Sequence, residues 1–207
     1  MLYNPLPLRS SVAPFLYLLH PTTGLRHLIR LRHPTPAALH TSHQASLENV
    51  MDSEGFSFGP YKIDPKEVFY ATQFSYALVN LRPVVPGHVL VCPRREVKRF
   101  VDLSADEVSD LWLSAQKIGC QLESYHKASS LTYAIQDGPE AGQTVPHVHV
   151  HILPRKSSDF QKNDDIYDAI DLKEKELKQK LDLDQERKDR SMEEMAEEAD
   201  TYRKLLL

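Results

Sequence analysis

The chain has 207 residues, 41% hydrophobic and 26% charged, which fits one globular domain of ordinary size with some peripheral sequence and excludes a chain disordered throughout. Its longest apolar stretch, Val12 to Leu19 with Pro14 inside it, falls far short of the roughly 20 residues a membrane-spanning helix requires. A net charge of −4 offers no global basic field for nucleic acid or an anionic membrane, and Cys92 and Cys120 form neither a disulfide framework nor a thiolate zinc pattern, which points to a reducing compartment.

Residues 1–50 hold four arginines, five histidines, six prolines, no lysine and the single acid Glu48. That composition suits an organelle transit peptide, mitochondrial or plastid, and equally a disordered extension ahead of a start at Met51, which would leave the protein in the cytoplasm or nucleus. The core is expected over 51–158. Glu67 to Ala71 and Phe74 to Leu81 are rich in Val, Phe and Tyr and read as strands joined by a two-residue break, Thr72-Gln73. His88 to Cys92, between Gly87 and Pro93, reads as a third strand.

Ser104-x-x-Glu107 is a capping box opening a long helix, with Val108, Leu111, Trp112, Ala115, Ile118, Leu122 and Tyr125 on the face expected to cover the sheet. Leu131 to Gln136 and His147 to Leu153 complete the strands, separated by a Gly- and Pro-containing loop from Asp137 to Thr144, and connections this short imply antiparallel pairing. Residues 159–207, net −6, form an acidic tail. Its Leu172 to Arg190 stretch has few apolar residues and reads as a solvated helix or mobile loop, and a second capping box, Ser191-x-x-Glu194, starts an amphipathic helix through Met192, Met195, Ala199, Tyr202 and Leu206. The expected fold is α+β, an antiparallel sheet of about five strands with the long helix and the C-terminal helix on one side.

The segment HVHVHILPR, 147–155, alternates strictly, so an extended chain puts His147, His149 and His151 on one face, roughly 6.5 Å apart, and Val148, Val150 and Ile152 on the other. Two chemistries use such a row. Zinc takes three imidazoles or two with a carboxylate, but the nearest acids in sequence, Asp137 and Glu140, lie across a turn and no further Cys/His cluster completes a shell. A neutral imidazole can instead attack an electrophilic phosphorus, its second nitrogen donating a hydrogen bond, with its neighbours stabilising the developing charge. The loop DGPEAGQTVP, 137–146, would bring glycines and the amides of Gly142 to Val145 near an anion.

The strings QDGPEAGQTVPHVHVHILPRK, 136–156, and NLRPVVPGHVLVCPRR, 80–95, resemble the histidine triad (HIT) superfamily, specifically its fragile histidine triad branch, over about Phe56 to Leu205. The resemblance implies a homodimeric HIT-like fold whose members hydrolyse diadenosine triphosphate to AMP and ADP through a covalent nucleotidyl-histidine, with adenylyl sulfate and phosphoramidates as further substrates of the superfamily. It makes His149 the nucleophile. His147 would fix its tautomer and orientation, His151 would contact the α-phosphate, and His88 would support the triad from behind. Asn80 would bind near the ribose, Gln136 and Gln143 would meet the polyphosphate or leaving group, and Gly142, Gln143, Thr144 and Val145 would form the phosphate-facing loop. Tyr167 would occupy a mobile loop or a helix face. Tyr61 stands where animal relatives often carry a polar residue or histidine, which leaves the base preference open. No protein-held metal is expected, because magnesium or manganese would arrive on the polyphosphate. A nucleotide-binding signalling module acting through its substrate-bound form would use the same pocket.

Overall fold

The computed structural model describes residues 55–180 and 189–207, so the expected leader over 1–50 lies outside the described residues. The first described strands, β1 (Phe56–Phe58) and β2 (Tyr61–Ile63), pair into a two-stranded ribbon that the sequence reading did not anticipate. Its two-residue link, Gly59-Pro60, turns through a positive φ of 54° at Gly59, where a Cβ would also stand 2.9 Å from Val145 Cγ1. Glycine meets both demands at once.

β3 (Val68–Ala71), β4 (Ser75–Val79), β5 (Val89–Pro93), β6 (Ser130–Ala134) and β7 (Val150–Arg155) form one fully antiparallel sheet in the order β3-β4-β5-β7-β6. The β3–β4 connection is three residues rather than two. Thr72 Oγ1 accepts from the amides of Phe74 and Ser75 and closes that turn. A register shift between Val68 and Tyr70 puts Val68 and Ala71 on the same side of the sheet although they are three residues apart.

α1 (Ala105–Tyr125) is opened by the full capping box, with Ser104 and Glu107 bonding each other's backbone amides. Its buried stripe is Leu111, Ala115, Ile118 and Leu122, which covers Ala77, Val79, Val89, Val91, Val150 and Ile152. Trp112 and Tyr125, expected on that face, are exposed, because Trp112 sits one position round the helix from Leu111 and Tyr125 lies in the last turn. α3 (Met192–Leu206), capped by Ser191 and Glu194, adds Met195, Ala199 and Tyr202 to the same core.

The opposite face carries a second cluster, in which Phe56, Phe58 and Val145 pack on Tyr76, Leu78, Leu90 and Cys92. It also receives α2 (Asp165–Lys180), whose Ile166 and Ile170 seat on Leu153. The stretch from Leu172, read as a solvated helix or loop for want of apolar residues, is thus in part the continuation of a docked helix, because its Glu174 is buried. One helix therefore leaves the side on which the other two lie.

Candidate active site

β7 begins at Val150, not at His147. Ahead of it the chain bends at 145–147 and makes no ladder pairing: the His147 amide turns back to Val145 O, and the Val148 amide reaches Val97 O at 2.7 Å. Alternation survives all the same. Val148, Val150 and Ile152 enter the helix-side core, while His147, His149 and His151 are buried beneath the other face. The His149 and His151 rings lie 4.8 Å apart, centroid to centroid, and Phe58 stands edge-on to His149 at 5.0 Å.

Fixed backbone groups assign a tautomer to every ring. The Gly59 amide donates to His147 Nδ1 at 3.0 Å, so the proton of His147 is on Nε2 and goes to Pro93 O at 2.9 Å. His147 O lies 2.7 Å from His149 Nδ1, which therefore carries a hydrogen and leaves Nε2 with a lone pair. The Val84 amide donates to His88 Nδ1, which puts the His88 proton on Nε2, directed at His151 Nδ1 at 3.0 Å. His151 must then carry its own proton on Nε2. The 3.3 Å approach of Asn80 Nδ2 to the same His88 nitrogen is packing between two donors, and Asn80 Oδ1 is taken by the Arg82 amide.

Two nitrogens remain without a partner, His149 Nε2 and His151 Nε2, one an acceptor and one a donor, side by side and buried. Leaving buried polar atoms unpaired costs about 1–3 kcal/mol each, a cost that a ligand meeting both would recover. Burial also keeps the supporting rings neutral: it pushes the His88 imidazole down to about 3, with the nearby His149 adding to the effect, and it holds His151 well below and His147 below the ordinary histidine value.

Around this pair, Gln136 Nε2 bonds Asp171, and Gln136 Oε1 is buried without a partner. Gln143 is spent on the loop: its Oε1 accepts from the Gly138 amide and its Nε2 reaches Lys98 O and His147 O. The amides of Gly142 and Gln143, expected to face an anion, donate instead to Pro139 O and Gly138 O, because residues 139–141 close a tight turn. Thr144 Oγ1 bonds Glu174, and Val145 packs in the second core. Tyr167 is on α2 and half exposed, whereas the histidines are buried. The residue that α2 does deliver is Glu174, a site member the sequence reading missed.

The acid beside the histidines thus comes from α2 and not from Asp137 or Glu140, the acids nearest in sequence. Atoms of His149, His151 and Glu174 able to bind a metal lie within 4.8 Å of one another, the one such set with the triad among the described residues. The proton chain through His88 gives His151 Nε2 a hydrogen where a metal needs a lone pair, so in this tautomer His151 is a hydrogen-bond donor to the site rather than a metal ligand. Beside it opens a cleft of about 500 Å³, lined by Phe58, Tyr61, Leu78, Asn80, Leu90 and Met195.

The HIT domain family model matches residues 62–158. An Arabidopsis thaliana protein named bifunctional bis(5'-adenosyl)-triphosphatase/adenylylsulfatase FHIT is 74% identical over 150 residues, 72% of this chain and 83% of that protein. A Dictyostelium discoideum bis(5'-adenosyl)-triphosphatase is 50% identical, covering 72% of this chain and 91% of its own. Among solved structures, the Plasmodium falciparum diadenosine triphosphate hydrolase in complex with Cyclomarin A superposes with a TM-score of 0.59 at 33% identity, covering 80% of this chain and 94% of that one.

Proposed function

Because the chain belongs to the HIT domain family, in its fragile histidine triad branch, we propose that it hydrolyses diadenosine triphosphate to AMP and ADP through a nucleotidyl group carried on His149. The observation that carries this reading is the buried, unpartnered Nε2 of His149, whose ring is held by Nδ1–H on the His147 carbonyl. Attack by that lone pair on the α-phosphorus forms a P–N bond, breaks the bond to the bridging oxygen and releases ADP. The imidazolium that results keeps its Nδ1–H on a carbonyl, the partner best placed to share its charge. Water then cleaves the P–N bond, releases AMP and restores the neutral ring. His151 Nε2–H is a donor for an α-phosphate oxygen.

In this reading the cleft between Phe58, Leu78 and Leu90 receives an adenosine, with Asn80 at its edge. Tyr61 lines the same cleft and presents a ring to the base. A leaving group departs away from His149, so adenylyl sulfate, which shares the adenylyl half, is a second substrate in keeping with the printed name of the Arabidopsis relative. Magnesium or manganese enters with the polyphosphate. We also infer a homodimer: β6 is a sheet edge, and beside it Trp112 and Tyr133 expose apolar surface, their rings 6.4 Å apart.

The test is a short incubation with α-labelled diadenosine triphosphate, acid-labile protein-bound label being trapped from wild type and from His149→Ala. Label on wild type alone, with AMP and ADP as products, is expected. Hydrolysis that survives His149→Ala would overturn the mechanism.

A further inference from the structure

Two donors beside the nucleophile, the Thr144 hydroxyl and the Gln136 side-chain amide, are bonded by carboxylates of α2, and a third, His151 Nε2–H, faces one of them. Glu174 is 7% exposed and lies at the end of a buried row, Ile166, Ile170, Glu174, in four-residue steps. Its Oε2 takes the Thr144 hydroxyl, and its Oε1 stands 4.0 Å from His151 Nε2. One turn earlier, Asp171 takes the Gln136 amide, and a Cβ on Gly142 would lie 3.0 Å from Asp171 Oδ1, so helix and loop are in direct contact. Hydroxyl, amide and imidazole N–H are all donors. Carboxylate oxygens bond the first two and stand 4.0 Å from the third, an arrangement of anionic oxygens that a phosphoryl group would also present.

We propose that Asp171 and Glu174 are an internal phosphate mimic: α2 is a lid docked in the polyphosphate subsite of the free chain, and the dinucleotide enters by displacing it. This rests on the reading of His149 as a nucleotidyl acceptor, since it takes its subsite from that reaction. Helix and substrate cannot share the subsite, because both need the same donors and both are negatively charged. The apolar contacts of Ile166 and Ile170 alone do not explain why a carboxylate is buried one step beyond them; burying an ionised group is costly unless partners meet it, and here the partners are those of the ligand. The segment that leads into the lid is tethered six residues ahead of it, where Arg155 pairs with Asp159 at 2.7 Å, so the helix can lift while that connection stays in place. The consequence is a KM set by competition between two anions for one row of donors.

The experiment uses the full chain and two variants, Glu174→Gln and Glu174→Gln combined with Asp171→Asn. Steady-state hydrolysis of diadenosine triphosphate is measured alongside hydrogen exchange of the α2 amides without nucleotide. Replacing charge-assisted hydrogen bonds with neutral ones should lower KM by about tenfold in the double variant, with the gain in KM rather than kcat, and should speed α2 exchange. A Glu174 that merely held the fold together would raise KM or leave it alone. KM within twofold of wild type in both variants, or higher, overturns the lid. Failure of the wild type to turn over the dinucleotide overturns the functional reading instead, and the exchange arm then decides the lid: unchanged α2 protection in Glu174→Gln refutes it.

Discussion

His147 and His149 are neighbours in one motif, yet removing each should do opposite things. The His147 ring spans two buried backbone groups, accepting from the Gly59 amide and donating to the Pro93 carbonyl. His147→Ala strips both of that partner at about 1–3 kcal/mol each, hence about 2–6 kcal/mol, or roughly 5–20 °C in Tm for a domain of this size. His149→Ala removes one bond, to the His147 carbonyl, but also removes an Nε2 that is buried without a partner. Those contributions nearly cancel, and the net change is expected within about 1 kcal/mol. Turnover should follow the reverse order: His149→Ala loses at least roughly 10⁴-fold, since no nucleophile remains, whereas His147→Ala loses less, because the carbonyl that orients His149 belongs to the backbone and survives. Urea and thermal denaturation give the first ranking, and chromatographic separation of AMP and ADP, run below the lower Tm, gives the second. A His149→Ala protein destabilised as much as His147→Ala, or a His147→Ala protein with unchanged Tm, would refute the hydrogen-bond assignment on which the mechanism stands.

Stability should fall on mild acidification. The buried rings of His88, His147 and His151 have lowered pKa values in the fold, while unfolded histidine titrates near pH 6.5, so below that pH the unfolded chain gains protons first. His88, at about 3 in the fold, should by itself cost about 2 kcal/mol between pH 7 and pH 5 and nothing above that range. The paired carboxyls of Glu107 and Asp159, held near about 2, lose stability only at lower pH, so a urea midpoint unchanged from pH 7 to pH 5 would contradict the neutral histidine array. For the homodimer, wild type should sediment as a dimer at micromolar concentration and Trp112→Glu as a monomer, and a monomeric wild type would dismiss the proposed face.

The strands, α1, α3 and the histidine row were legible because each is written in local chemistry: alternation, apolar steps of three and four, and two capping boxes that both close. What escaped depends on contacts between distant segments. The ribbon β1–β2 has three-residue strands, too short for alternation to register, yet it supplies Phe58 and the Gly59 amide that fixes His147. Glu174 reads as one more charge in a lysine-rich stretch. Only docking on Leu153 and Thr144 makes it part of a buried row. The extent of β7 was overread for a related reason, since alternation reports which way side chains point but not whether a neighbouring strand is there to pair, and before Val150 the partner is the Val97 carbonyl of a loop.

The cleft beside the histidines is closed by Met192 and Met195 of α3, and the Asn80 carbonyl at its edge accepts from Arg190. Those residues follow the triad in the chain by some forty positions. During synthesis the histidines therefore leave the ribosome before the wall of their own binding cleft exists, and a nascent chain that has folded its sheet still lacks the surface against which a nucleoside would rest. Catalytic competence arrives with the last helix described, and a fusion or truncation that disturbs α3 should cost nucleotide binding before it costs the histidine array.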